Sequence, residues 1–196
     1  MTDTAADILV AGADASIAGG YFQVAPTTAT GPVDASTALG TGWTNAGLIT
    51  EDGVTVSESK STEEIKDASG AVVRVVTTEY GVTVNLSLLA PTLKSFKLMR
   101  GDSNVTQDAS GNIVTKFAKT DLPTQSWTIH FSDNGRRVRL YLPAGQITET
   151  SDIAYNVTSA TTYEVTITCK PDANGVYAYE YRAGATSPET YSPDED

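Results

Sequence analysis

Apolar residues recur at every second position through most of the chain, which predicts a protein built mainly of antiparallel strands. The longest run starts at Val72. Val72, Val76, Tyr80, Val82, Val84, Leu86 and Leu88 share one parity, interrupted by Arg74 and Thr78, while Thr77, Glu79, Thr83, Asn85 and Ser87 share the other. Such alternation predicts one long, half-buried strand with a bend at Gly81. Upstream, Glu51-Asp52-Gly53 reads as a turn, after which Val54 and Val56 alternate with Thr55 and Ser57. The strand then loses its apolar face through Glu58, Lys60, Glu63, Glu64, Lys66 and Asp67, which predicts a hairpin projecting beyond the core.

After the long strand the period changes. Pro91 suits a first helical turn, Leu93, Phe96 and Met99 follow at helical spacing, and Lys94, Lys97 and Arg100 suit the negative end of the helix dipole. With Gly101 as the stop, one short α-helix is predicted over about 91–100. Strand patterns then return. Ile113, Thr115 and Phe117 form a short one, and Gln125 to Ser132 alternates with Trp127, Ile129 and Phe131 inward. Asp133-Asn134-Gly135 predicts a tight hairpin, because Asn and Gly tolerate the positive φ angles it needs. The return strand carries Val138, Leu140 and Leu142 on one face and Arg137, Arg139 and Tyr141 on the other. Gly145 to Thr150 reads as a further polar strand or edge, and Thr162 to Lys170 alternates with Tyr163, Val165, Ile167 and Cys169 inward. Asn174-Gly175 reads as the turn of a last hairpin that returns through Tyr177, Tyr179 and Tyr181. At the other end, Ile8-Leu9-Val10 and Tyr21-Phe22-Gln23-Val24 read as two short strands joined through Gly19-Gly20. No repeat of 20 to 50 residues is evident, so the chain is neither a solenoid nor a propeller.

Charge sharpens this picture. The net charge is −11 over 196 residues, and eight of the eleven excess negative charges sit at the ends. Residues 1–45 carry Asp3, Asp7, Asp14 and Asp34 with no Lys or Arg; residues 183–196 carry Glu189, Asp194, Glu195 and Asp196, again with no base. Duplex binding needs clustered cations that displace counterions, so this is not a nucleic-acid binder. No run of eighteen apolar residues offers a transmembrane helix, and the acidic Met1-Thr2-Asp3-Thr4 start does not read as a secretory signal. The single cysteine, Cys169, excludes an internal disulfide framework and fits a reducing compartment.

Candidate chemistry is sparse. His130, the only histidine, falls with Thr128 and Ser132 on a polar strand face, where it reads as an exposed or interface residue without a nucleophile to pair with. Cys169 has no second cysteine or histidine at metal-ligand spacing. The adjacent acid pairs Glu51-Asp52 and Glu63-Glu64 point to opposite strand faces, which unsuits them to general acid–base work. Arg136, Arg137 and Arg139 form the one basic cluster, best read as pairing with acids of a neighbouring strand or subunit. No enzyme, metal or cofactor is expected.

Several short pieces, in order and spacing, carry a resemblance. They are Gly42-Trp43-Thr44-Asn45-Ala46-Gly47-Leu48-Ile49-Thr50-Glu51-Asp52-Gly53-Val54, then Ser61-Thr62-Glu63-Glu64-Ile65-Lys66, then Val72 to Ala90, preceded by Ala25-Pro26-Thr27 and Pro32-Val33-Asp34-Ala35. Together they resemble the major tail tube proteins of long, non-contractile-tailed bacteriophages, especially those infecting actinobacteria. One departure stands out: relatives often place a tryptophan soon after the Glu-Ile-Lys element, where Asp67-Ala68-Ser69-Gly70 stands here.

The resemblance implies a mainly β tail tube fold, an antiparallel β-sandwich or barrel-like body with one short helix and extended N- and C-terminal arms. It divides the chain into an arm with short strands over 1–45, a tube domain with a projecting loop at 50–70 over 46–182, and an acidic tail over 183–196. It implies a virion protein whose copies form six-membered rings, stacked head to tail around a channel through which DNA passes without specific binding. Further partners it implies are a tape measure protein and the tail terminator and tip proteins. Glu51, Asp52, Glu63, Glu64, Asp67, Arg136, Arg137 and Arg139 are then the candidates for subunit contacts or the channel wall. A second reading remains open from the residues alone. An immunoglobulin-like sandwich could bind carbohydrate or protein at a surface through Tyr177, Tyr179 and Tyr181.

Overall fold

The computed structural model describes residues 9–89 and 92–184. Its organising feature is one antiparallel sheet of nine strands that turns over upon itself. In chain order the strands are β1 (Gly12–Ala13), β2 (Phe22–Pro26), β3 (Thr44–Asn45), β4 (Leu48–Lys66), β5 (Val72–Leu89), β6 (Val105–Gln107), β7 (Ile113–Thr115), β8 (Gln125–Asp133), β9 (Arg136–Thr150), β10 (Thr162–Cys169) and β11 (Tyr179–Ala183). The main sheet runs β3-β2-β8-β9-β10-β5-β4, with β1 on β8 and β11 on β9, while β6 and β7 pair separately. This is the mainly antiparallel β architecture that the alternation predicts, open and not closed into a barrel. Phe22, Val24, Trp127, Ile129, Leu140 and Leu142 from one half meet Val82, Val84, Leu86, Leu88, Val165 and Ile167 from the other in a single core.

The fold-over is made by β9. Arg137 to Tyr141 pair with β11 on one edge, and Gly145 to Thr150 pair with β10 on that same edge, while β8 follows the other. The register slips by one residue opposite Ser126, at Pro143–Ala144, and Ser126 Oγ donates to Pro143 O at 2.7 Å. A bulge of this kind flips parity, so Leu142 and then Ile147 face the core. The segment from Gly145 to Thr150 is thus no separate polar edge but the second half of one fifteen-residue strand.

Where the chain turns, one local chemistry is used three times. In Asp67-Ala68-Ser69-Gly70-Ala71, Asp108-Ala109-Ser110-Gly111-Asn112 and Asp172-Ala173-Asn174-Gly175-Val176 the aspartate Oδ1 accepts from the backbone N–H two and four residues on. The aspartate N–H donates to the fifth carbonyl and its own carbonyl accepts from the glycine, whose φ is 85, 88 and 79° respectively. The first joins β4 to β5 and the second β6 to β7. The third turns the chain as the sequence suggests, yet not into a hairpin: β11 crosses over to β9 instead of pairing with β10. Tyr179 Oη donates to Asp172 Oδ2 at 2.7 Å, and this bond, with those from the backbone, holds the carboxyl below its ordinary 3.8. A depressed carboxyl stabilises the fold above 3.8 and loses that effect as pH falls through its folded value. Asp172→Ala is therefore expected to lower Tm at pH 7, and the gap to the parent should close below pH 3.8 in thermal melts.

The Asn134-Gly135 hairpin forms with φ of 46 and 86°, as predicted. The helix α1 spans Leu93–Arg100; Thr92 is its N-cap, in a capping box with Ser95, so the helix begins two residues later than expected, and Pro91 lies outside the described residues. Met99 enters the core, and Phe96 meets Tyr163 edge-on at 5.6 Å. Leu9 and Val10 precede β1 without joining a strand. Ile8, the residues before it and the acidic stretch beyond Gly184 also lie outside the described residues. Among the described residues no helix is long and apolar enough to cross a membrane.

Candidate functional site

Two surfaces stand out, one projecting and one covered. The projecting one is the outer part of the β4–β5 hairpin. From Val82 inward β5 alternates buried and half-buried residues, whereas from Val72 to Tyr80 everything but the half-buried Val76 is exposed. On β4 every residue from Thr55 to Lys66 is exposed. The nine residues from Glu58 to Lys66 give a ribbon that reaches roughly 30 Å from the body at 3.3 Å per residue.

Register within the ribbon departs from the simple alternation of the sequence. Ser61 pairs with Glu79 but Thr62 with Thr77, and Ile65 pairs with Arg74 but Lys66 with Val72, so Thr78 and Val73 are bulged out. Partners across a ladder share a face. Val75 and Val72 therefore continue the face of Val82 and Tyr80, opposite Glu64 and Lys66, while Val76 crosses to the other side with Glu63. The single parity that groups Val76 with Val82 is corrected by these two bulges. A larger bulge lies at the base. Ile49 pairs with Leu88 and Val54 with Leu86, so Thr50 to Gly53 swell out of a continuous strand and do not reverse the chain as a turn.

The candidate acids are spread along this element. Glu51 and Asp52 ride the basal bulge, exposed, with Thr50 Oγ1 donating to Asp52 Oδ2 at 3.3 Å. Glu63 and Glu64 are exposed on opposite faces near the tip, and Glu64 pairs with Lys66 at 3.4 Å. Asp67 is committed to the tip: Ser69 Oγ donates to it at 2.6 Å and the backbone of Ser69 and Ala71 at 2.8 and 3.0 Å, which holds its carboxyl below the usual range. The Asp67-to-Gly70 departure from the resembling family is thus a compact turn closed by its own side chains. Ile65, Val72, Val73 and Val75 leave 47, 47, 63 and 57 % of their surfaces exposed, an unusual density of aliphatic side chains on a ribbon with no core of its own.

The three arginines do not form one patch. Arg136 pairs with Asp133 at 2.6 Å and Arg137 with Asp14 at 3.4 Å. Arg139 is 1 % exposed, and this corrects its place among the candidate contact residues, since a side chain so covered cannot reach a neighbouring subunit or a channel. His130, expected on an exposed or interface face, is likewise 1 % exposed. The cause is a cover. Asp14 N–H donates to His130 O at 3.0 Å, Gln23 Nε2 donates to Ala18 O and Gly20 O at 3.1 and 2.8 Å, and residues 34–37 lie over Arg139. The outer face of β2 and β8 is therefore buried by earlier parts of the chain, and its polar side chains are partnered there.

Arg139 is the centre of that cover. Its Nη1 donates to Asp34 O at 2.6 Å, its Nη2 to Thr37 O at 2.8 Å and its Nε to His130 Nδ1 at 3.2 Å. Asp34 organises its own loop by accepting from the Thr37 hydroxyl and from the Thr37 and Ser36 N–H groups at 2.6 and 2.7 Å, and these bonds hold its carboxyl at about 2. Burial, reinforced by the Arg139 charge, pushes His130 down to about 4, so the imidazole is neutral at pH 7. Period-2 reasoning missed this cluster because it assigns faces but not what covers them. The one sequence signal was Asp34 followed three residues on by Thr37, a side-chain capping pattern that marks a built loop.

The remaining candidates carry no catalysis. Cys169 is buried, and burial pushes its thiol up to about 11, far from a reactive thiolate. The tyrosines are half-buried and stacked: Tyr179 lies on Tyr141 at 5.9 Å and beside Tyr181 at 6.0 Å, and Tyr177 meets Tyr80 edge-on at 5.2 Å. Rings packed on one another offer no open platform for a sugar face. Among the described residues no three His, Cys, Asp or Glu side chains are grouped to hold a metal.

A family described as phage tail tube protein matches residues 4–185. No match to this chain is found among curated proteins. Among solved structures, the tube-terminating cap of the anti-feeding prophage is similar over 93 % of this chain and 100 % of its own, at 14 % identity and a TM-score of 0.48. An extracellular contractile injection system in its extended sheath–tube complex is similar over the same shares, at 12 % identity and a TM-score of 0.48.

Proposed function

The chain belongs to the phage tail tube protein family, a family of structural virion proteins and not of enzymes, and from that premise we propose that its copies close into six-membered rings that stack into a tail tube with a channel for DNA. The observation that carries this reading is β4. Among the described residues nothing pairs with its outer edge, and it runs on for nineteen residues into the exposed ribbon. A long free edge invites pairing with another chain, and soluble monomers normally blunt or cover it. A closed ring removes the edge by giving it to the next subunit. The ribbon, with its aliphatic side chains, extends far enough to bridge to a neighbour or to the next ring.

In this reading Glu51, Asp52, Glu63 and Glu64 are placed at ring contacts or along the channel, with the outward parts of Arg136 and Arg137 as their partners across subunits. Like charge on a channel wall lets DNA slide past without binding. The acidic ends, a tape measure protein within the tube, and terminator and tip proteins at its two ends belong to the same proposal. Electron microscopy of the concentrated protein, with light scattering over a dilution series, tests it. Hollow, striated tubes or rings are expected. Monomers at every concentration, even with tail-tip proteins present to initiate growth, would overturn it.

A further inference from the structure

We propose that Arg139 and His130 form a proton-sensitive clasp that holds residues 28–41 against the outer face of β8 and β9, and that acid opens it. This goes beyond the tube reading and does not depend on it. The geometry fixes the protonation state. Arg139 Nε has only a hydrogen to offer, so His130 Nδ1 at 3.2 Å must be the bare acceptor. The ring hydrogen then sits on Nε2, 3.3 Å from Thr128 Oγ1. A proton added at Nδ1 removes the acceptor and sets an imidazolium against a guanidinium where both side chains are 1 % exposed. Arg139 must then shift, and the two bonds from its Nη1 and Nη2 to Asp34 O and Thr37 O go with it.

Little else holds the segment down. Within it only Ala35 is fully buried, and Val33 is 75 % exposed. Its limbs, Thr28 to Val33 and Thr37 to Thr41, are parted by an open groove of about 520 Å³. The Trp43 Nε1 bond to Thr30 O, at 3.1 Å, ties the segment to its own stem. Gly31 packs against Tyr141, where a β-carbon would fall 2.6 Å from the hydroxyl, but this is contact without a bond.

The charged groups around the clasp come from every element packed on it. β9 supplies Arg139 and Arg137, the stretch after β1 supplies Asp14, the segment supplies Asp34, and Tyr181 of β11 lies near Arg139. Asp14 is the one group that favours a charged His130, and it is itself engaged by Arg137 at 3.4 Å and by Ser16. Burial pushes the Asp14 carboxyl up, but the Ser16 hydrogen bonds and the Arg137 charge more than offset that, so it stays below the ordinary range. Asp34, held at about 2, remains charged throughout and keeps the 34–37 turn folded on itself. The titrating element between neutral pH and about 4 is thus His130.

Hydrogen exchange by NMR at the Arg139 side chain and the backbone amides between pH 7 and 4, corrected for intrinsic rates, tests this on the full chain. Opening linked to one proton should raise the opening constant about tenfold per pH unit between 6.5 and about 4, roughly 300-fold in all. The Arg139 Nε proton, which the closed clasp hides against His130 Nδ1, is expected to lose protection along that slope while the Ile167 amide, in the core, stays protected. His130→Gln keeps an acceptor for Arg139 without a titrating group and should flatten the slope. The His130 ring resonances, followed in the unaltered protein, are expected to titrate together with the opening. Protection at Arg139 Nε that is constant from pH 7 to 4, an unchanged slope in His130→Gln, or a His130 titration near 6.5 with no opening would each overturn the clasp.

Discussion

Gly145→Ala is expected to destabilise the fold by about 3 kcal/mol, although it adds one methyl group to a β-strand. A β-carbon at Gly145 would lie 2.7 Å from Ile167 Cγ2, 2.8 Å from Trp127 Cδ1 and 3.0 Å from Trp127 Nε1. Ile167 and Trp127 are 0 and 1 % exposed, and Trp127 is stacked on Phe22 at 5.6 Å, so both sit in a packed core with little room to give way. Overpacking of this kind costs about 1–3 kcal/mol. A displaced indole also loses its Nε1 bond to Gly145 O at 3.0 Å, which leaves a buried donor unpaired at a further cost of about 1–3 kcal/mol. For a chain of this length the expected fall in Tm is about 6–12 °C, read by calorimetry. Gly40→Ala is the control, because nothing lies within 4 Å of its would-be β-carbon. Equal melting of Gly145→Ala and the parent would mean that the β9 corner is not fixed against Trp127.

That corner marks the limit of what the sequence made legible. Strand faces were readable wherever one side met the core: Trp127 and Ile129, Val138 to Leu142, and Val82 to Leu88 all point as their parity demands. The bulges were not readable, because Pro143–Ala144, Thr78 and Val73 each insert one residue without changing composition, and each flips everything beyond it. Long-range pairing was equally hidden. Nothing near Tyr179 says that β11 will choose β9 over β10. The buried Arg139 was missed for a third reason. An arginine on a polar strand face normally snorkels to water, and only the carbonyls of a loop more than a hundred residues earlier give it somewhere else to go. The three Asp-Ala-(Ser or Asn)-Gly turns close their hydrogen bonds within five residues, yet only Asn174-Gly175 was read as a turn, and as a hairpin at that; the shared four-residue pattern was the local signal left unused. The exposure of Glu63 and Glu64 on the ribbon was legible from the loss of apolar alternation, a signal that survives register errors.

On the proposed tube reading, excising the ribbon is expected to abolish assembly and to leave the subunit folded. Replacing Ser61 to Glu79 by Asn-Gly, which joins the cross-strand partners Lys60 and Tyr80, removes only exposed residues and the half-buried Val76. The core residues Val82 to Leu88 and their partners on β4 and β10 are untouched, so Tm should move by no more than a few degrees. Assembly loses far more. Ile65, Val72, Val73 and Val75 present about half of their surfaces to solvent, and covering the rest against a neighbour stabilises a contact by about 1 kcal/mol each. Roughly 4 kcal/mol per subunit is about a thousandfold in the association constant, enough to bring tubes to monomers at working concentrations. Val73→Asp with Val75→Asp is the milder counterpart, since the β4–β5 ladder remains while charge replaces the aliphatic surface. The two variants separate the possible roles of the ribbon. Loss of tubes in both assigns the joining energy to its side chains. Loss on excision alone assigns it to the backbone edge of β4. Tubes that persist after excision would remove the ribbon from the assembly and leave the body of the sheet to hold the rings together.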